Sequence, residues 1–254
     1  MVLSTEHALD LLNIISVSPL FYYGAGALLL ILCTILYLRL KPKYFYIVRH
    51  GETELNRAHI KQGSQGGLSE KGILQAQMIG QAFRTLHIQH IYTSPFERAE
   101  QTADIIQKEL GCRVSFVALL AERKNASETI GKSVDDAEVM RIEGLTKYGF
   151  HEDTYRFSDE ENFHDLKKRA QKALSYLSRR PHTRMLVVTH HVFLHIFLSY
   201  LLHREKLTAN DLVKLSFFNP ADNGGVTVCV YHPWHGQFKD TNGWEVRVYN
   251  QGVM

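Results

Sequence analysis

"KYFYIVRHGETELN", residues 43–56, decides how this chain is read. Tyr44 to Val48 form a continuous apolar run, the pattern of a central strand covered on both faces. The run stops on Arg49, His50 and Gly51. A buried strand ending on a guanidinium and an imidazole, followed at once by glycine, delivers chemistry to the end of a sheet.

Working outward, helical and strand patterns alternate. "SEKGILQAQMIGQAFRTL" (69–86) has helical spacing behind a Ser69 N-cap, and "FERAEQTADIIQKEL" (96–110) is a helix closed by Gly111. "ENFHDLKKRAQKALSYLSRR" (161–180) and "VFLHIFLSYLL" (192–202) are two further helices. Strand patterns fall at "HIYTS" (90–94), "VSFVALL" (114–120) and "RMLVVTH" (184–190), and "VTVCVYH" (226–232) with "WEVRVYN" (244–250) form a closing pair. This alternation predicts an α/β fold with a mainly parallel central sheet and helices on both faces. Such sheets bind ligands at the carboxyl ends of their strands.

Composition narrows the class. An apolar content of 45% and a charged content of 22% are those of a globular protein. A net charge of +3, with no dense run of Lys and Arg among aromatics, gives no footprint for nucleic acid. Cys33, Cys112 and Cys229 are scattered, and read as small buried hydrophobes in a reducing compartment.

The segment before the strand differs from the rest. No charge occurs from Leu11 to Leu38, and "LFYYGAGALLLILCTILYL" (20–38) would make a helix of about 28 Å, close to a bilayer's hydrocarbon thickness. Ser18-Pro19 starts a helix well, and Tyr22, Tyr23 and Tyr37 sit near its ends. A cleaved signal peptide fits poorly, because the first charges are Glu6 and Asp10 and "RLKPK" follows the apolar run. A buried helix would rarely be apolar on every side. Residues 1–42 are therefore expected to carry one transmembrane helix at about 19–39, with a catalytic domain at 43–254. Arg39, Lys41 and Lys43 flank only its C-terminal end, so the chain is expected to be single-pass with the domain cytoplasmic. Residues 4–16 could lie on the outer surface.

Three strands end on polar residues, in "IVRHGE", "IYTSPFERAEQTA" and "LVVTHHVF", and "FVALLAERK" ends on Glu122-Arg123. Two arginines, two histidines and a glutamate gathered at strand ends supply cationic walls, a nucleophile and an acid, a set suited to a phosphoryl group.

In these motifs the chain resembles the histidine phosphatases, the phosphoglycerate mutase-like superfamily, over about 44–250. "RHGETELN" matches the family's core, followed in order by "QGSQGGLSEKG" (62–72), "TSPFERAEQTA" (93–103), "LLAER", "ENFHDLKKRA" and "VVTHH". The resemblance implies a phosphatase acting through His50 as nucleophile, with Arg49, Arg98 and His190 holding phosphoryl oxygens and Glu122 as proton donor. It places Thr53, Asn56, Gln62 and Gly63 at the phosphate as further contacts, and Gly51 where backbone must pass close to it. It implies no metal or other cofactor, since a neutral imidazole is nucleophilic near pH 7. The expected partner is a phosphorylated small molecule or phosphoprotein, with the membrane as a second partner through the N-terminal helix.

The match departs in two places. His191 stands where the family usually has glycine; it either narrows the pocket, as a substrate contact, or turns away. After Glu122-Arg123 the chain runs "KNASETIGKS" (124–133) in place of the mutases' His-Tyr-Gly stretch, which favours hydrolysis over phosphoryl retention. Glu128 is a rival acid. The acidic run "HEDTYRFSDEENFHD" (151–165) reads as a solvated loop, because its spacing fits no compact metal-ligand set. Two other functions stay open: a phosphoglycerate mutase-like phosphotransferase, and a tethered module that only senses phosphate.

Overall fold

The computed structural model describes residues 19–149, 154–212, 221–234 and 238–252. The chain divides into two units, Met1–Lys41 and Pro42–Met254.

The first unit holds helix α1 (Pro19–Leu40) at the expected position. The expected membrane span is not found with it. Among the described residues no helix is long and apolar enough to cross a membrane. What the structure does give is exposure: Leu28, Leu30, Ile31, Leu32 and Tyr37 are each more than half exposed. The expected surface segment 4–16 lies outside the described residues.

The second unit is built on six strands: β1 (Lys43–Arg49), β2 (His90–Thr93), β3 (Arg113–Phe116), β4 (Arg184–Thr189), β5 (Val226–Tyr231) and β6 (Trp244–Gln251). Their order across the sheet is β3-β2-β4-β1-β5-β6. The first four are parallel, and β5 and β6 run antiparallel along one edge. The intervening helices are α2 (Glu54–Arg57), α3 (Glu70–Phe83), α4 (Glu97–Leu110), α5 (Ala137–Gly149), α6 (Phe163–Ser178) and α7 (His191–His203).

Strand alternation sorts the core into two layers. Phe45, Ile47, Met185 and Val187 pack with Leu166, Leu174 and Leu177 of α6 and Phe193 and Phe197 of α7. Val48, Ile91, Leu186 and Val188 pack with Ala76 and Ile79 of α3 and Ala99, Ala103 and Ile106 of α4. This is why β1 and β4 carry unbroken apolar runs: each residue faces one layer or the other, and neither layer is water.

Two elements differ from the sequence reading. The strand expected over 114–120 ends at Phe116 and continues as a 3-10 turn over Ala118–Leu120. Val117 N–H still donates to Thr93 O (2.8 Å), and Thr189 Oγ1 donates to Leu120 O (2.7 Å), so the turn is pulled across the strand ends. Helix α5 was not anticipated, since Gly144 interrupts a mostly polar segment in which Val139, Ile142 and Thr146 are among the few buried positions. The cysteines are all free, but only Cys229 is buried; Cys112 is half-buried and Cys33 exposed. The small-hydrophobe reading therefore holds for one of the three.

Candidate active site

Arg49 closes β1, and three other predicted reactive residues follow the carboxyl ends of parallel strands. His50 follows β1, Ser94 and Arg98 follow β2, and His190 follows β4 as the residue that caps α7. His50 N–H donates to Thr189 O (3.0 Å), which ties the two histidine-bearing ends together. The His50 and His190 ring centroids are 5.1 Å apart.

Hydrogen bonding fixes the His50 tautomer. Nδ1 lies 2.7 Å from Gly51 O, an acceptor only, so Nδ1 carries the proton. Arg98 Nε–H donates to His50 Nε2 at 3.2 Å, so the Nε2 lone pair is available. Burial pushes the imidazolium well below the ordinary histidine range, and the charges of Arg98 and Arg49 push it further. His50 is thus a neutral base with its lone pair turned toward a guanidinium. An arriving phosphoryl oxygen can take over the Arg98 N–H that now rests on Nε2.

His190 is completely buried. Its Nε2 lies 2.7 Å from Ser94 Oγ, which also accepts from Phe96 N–H at 3.2 Å. The Ser94 hydroxyl can donate to Nε2, and His190 Nδ1 has no hydrogen-bond partner among the described residues. Burial, His50 and the two arginines all push His190 below the usual range, so it too is a neutral donor. Arg98 anchors through Nη1 to Gly63 O (2.9 Å), and Arg49 through Nη1 to Ala221 O (2.5 Å). The Arg49 Nε–H is buried with no acceptor among the described residues. An unpartnered guanidinium N–H beside a buried imidazole nitrogen that can carry a proton suits an anion receptor.

Glu122 lines a cleft of about 550 Å3 together with Gln62, Gly63, Phe96, Arg123 and Lys124. His50, only 3% exposed, is not among the residues lining this cleft. The Glu122 carboxylate accepts from Arg123 N–H (2.8 Å), Val192 N–H (3.2 Å) and Phe193 N–H (3.0 Å). It therefore sits on the first turn of α7, where the helix dipole favours an anion. Its charge reaches both Arg49 and Arg98. The rival Glu128 is exposed and does not line the cleft.

The remaining predicted residues separate into two groups. Gln62 and Gly63 line the cleft. Thr53 is fully buried and N-caps α2: its Oγ1 accepts Asn56 N–H (3.0 Å) and Gln62 Nε2–H (2.8 Å), while Asn56 Oδ1 accepts Thr53 N–H (3.3 Å). Thr53 and Asn56 are thus bound to each other in a capping box, which shapes the turn after His50. His191 turns toward the 221–225 loop, where Nδ1 donates to Ala221 O (3.2 Å) and the ring meets His195 edge-on. Burial, His195 and Arg49 bring its pKa down to about 4.

Gly51 also has a structural role. A methyl there would lie 2.5 Å from Gly72 O, and one on Gly72 would collide with Glu52 O. The two glycines let the first turn of α3 pack directly on the backbone after His50.

Sequence reasoning missed two supports. Asn223 Nδ2 donates to His50 O (3.0 Å), and Gly224 N donates to Arg49 O (3.0 Å), so the loop entering β5 braces the catalytic turn. Arg169 on α6 forms a bidentate pair with Glu161 (2.8 and 2.6 Å) and donates to the carbonyls of Leu119 (3.2 Å), Ala121 (2.6 Å) and Glu122 (3.4 Å). It holds the segment that presents Glu122. Its eight-residue separation from Glu161 was visible in "ENFHDLKKR", but the backbone it grips comes from elsewhere in the chain. The acidic run is likewise a clasp more than a solvated loop. Glu160, 1% exposed, accepts from Phe157 N–H and Ser158 N–H, and Asp159 pairs with Lys124 (2.9 Å).

Comparison with known proteins agrees with this geometry. The model of the histidine phosphatase superfamily (branch 1) matches residues 45–243. A protein named probable phosphoglycerate mutase GpmB, from Citrobacter koseri, is 33% identical over 165 residues, covering 62% of this chain and 74% of that one. The fold resembles an alpha-ribazole phosphatase from Shigella flexneri (TM-score 0.66, 19% identity, 82% of this chain and 96% of that one). It also resembles a mycobacterial glucosyl-3-phosphoglycerate phosphatase (TM-score 0.64, 22% identity, 82% and 99%). With a family model matching most of its length and the two histidines and two arginines joined at the strand ends, this chain belongs to the histidine phosphatase superfamily, branch 1.

Proposed function

We propose that this protein is a metal-independent phosphomonoesterase that works through a phosphohistidine on His50. The observation that carries the reading is the neutral imidazole with its Nε2 lone pair turned to Arg98 N–H and its Nδ1 proton held by Gly51 O. Nε2 attacks phosphorus, the bond to the ester oxygen breaks, and Glu122 supplies a proton to that oxygen. The Gly51 carbonyl steadies the Nδ1–H as the ring becomes cationic. Arg49, Arg98 and His190 meet the charge on the equatorial oxygens. Water then attacks the phosphohistidine, Glu122 takes its proton, and inorganic phosphate leaves.

The substrate in this reading is a phosphorylated small molecule or phosphoprotein. Phosphoryl transfer between phosphoglycerates is the second reading, favoured by the names of the curated relatives. Against it stands the segment after Glu122, which lacks the mutases' clamping residues. An assay with an aryl phosphate, with and without chelator, tests the proposal. Chelator-resistant phosphate release that is lost in His50→Ala supports it. Exchange between phosphoglycerates without net release would replace it with the transferase, and binding without turnover with a phosphate sensor.

We also propose that the segment 19–40 tethers the domain to a membrane, with the domain on the cytoplasmic side. Support comes from the exposed apolar side chains of α1, the cations Arg39, Lys41 and Lys43 at one end only, and the absence of any charge from Leu11 to Leu38. Flotation of the intact chain with neutral vesicles tests this, and recovery in the soluble fraction would refute it.

A further inference from the structure

The active site occupies the carboxyl ends of the parallel strands. The opposite edge of the sheet has a charge pattern that this reaction does not use. Register places Arg113 beside His90, His90 beside Met185, Arg184 beside Tyr44, Lys43 beside Tyr231, and Tyr231 beside Trp244, in one row across all six strands. The connections that meet this row add Arg84, His87, Arg179, Arg180 and Lys239. Arg84, Arg113, Arg179, Arg184 and Lys239 are exposed.

Few carboxylates answer them. Among the described residues, ion pairs at this edge include Arg84 with Glu109, and Glu245 with His232 and Arg247. Arg113, Arg179 and Arg184 have no carboxylate partner among the described residues. In the β5–β6 connection of the same edge, Trp234 is 67% exposed. Arginines without carboxylate partners toward the β3 side of this edge and an exposed indole toward its β5–β6 side match an anionic lipid surface, where cations meet headgroups and an amphipathic ring enters the interface.

Chain continuity selects this occupant over other anions. β1 begins at this edge, and only Lys41 and Pro42 separate Lys43 from the end of the apolar helix α1. A chain leaving a membrane at residue 40 therefore enters this row three residues later, at Lys43.

We propose that the amino-terminal edge of the sheet, centred on Arg113, Arg179, Arg184 and Trp234, docks on anionic lipid headgroups and leaves the catalytic cleft at the far end of the strands free for its substrate. This rests on the tether reading above. The test uses the intact chain in vesicles of phosphatidylcholine alone or enriched in phosphatidylserine, with a quencher on the headgroups. The protein has two tryptophans, and Trp244 is buried, so quenching reports on Trp234. The expected result is roughly threefold or stronger quenching with phosphatidylserine, reversed by high salt and lost in the Arg113→Glu/Arg179→Glu/Arg184→Glu variant, with phosphatase turnover retained. Equal quenching in both vesicles, or none, overturns the docking. Salt-sensitive capture of polyglutamate with no lipid response overturns it in favour of an acidic protein partner. Flotation with neutral vesicles reads the tether separately: a chain that floats but shows no lipid preference loses the docking and keeps the anchor.

Discussion

At the residue scale, the site depends on keeping imidazoles neutral. Unfolded, each histidine titrates near 6.5, whereas burial and arginine charge hold folded His50 and His190 well below that and bring His191 to about 4. Below about 6.5 the unfolded chain binds more protons than the folded one, so stability is fullest above that pH and declines as pH falls toward 4. Thermal melts between pH 7.5 and 5 should show a falling Tm; a flat profile would contradict the burial of the histidines. The same depression predicts that kcat/KM shows no histidine-like loss near pH 6.5, because His50 stays unprotonated there. Arg169 allows a sharper test. Arg169→Lys keeps a charge but cannot grip Glu161 and three carbonyls together, and should lower kcat by roughly a hundredfold on esters with poor leaving groups. Aryl phosphates, which need little protonation, should be affected far less. An equal loss on both substrates would mean that Arg169 does not act through Glu122.

At the scale of elements, the parts of the site that lie within one short stretch were legible, and those assembled from distant stretches were not. Arg49 and His50 could be read because an apolar strand that stops on polar residues announces its own end. His190 and Arg98 could be read for the same reason. Asn223 and Arg169 could not, since their partners are backbone atoms on other elements, and a carbonyl leaves no mark in the sequence. Helix α5 escaped because few of its positions are buried. Gly51 was legible as a point of close backbone approach, but its packing against Gly72, one element further on, was not. Gly51→Ala should destabilise the fold by about 1–3 kcal/mol, measured by urea unfolding, because backbone has to move. Gly63→Ala is the control: an added methyl there meets only Ile130 Cγ2 at 3.5 Å, an ordinary contact, and stability should hold.

At the scale of the whole catalytic unit, the sheet separates two kinds of chemistry. Among the described residues, one edge gathers buried guanidinium and imidazole nitrogens without protein partners, and the other presents exposed arginines of which Arg113, Arg179 and Arg184 have no carboxylate partner. The α/β class, the mainly parallel sheet and the helices on both faces all followed from strand and helix periodicity, because covered strands must be apolar throughout. The segments that choose a substrate had no such rule to obey, and the clasp between residues 157–161 and 122–127 emerged only from three-dimensional contacts. The most direct test of the central claim is to mix enzyme with a phosphomonoester, quench in alkali, where phosphohistidine survives, and map the label by mass spectrometry. The account predicts phosphate on His50 that vanishes in His50→Ala and in acid. Phosphate on any other residue, or turnover with no labelled enzyme at any time point, would contradict it.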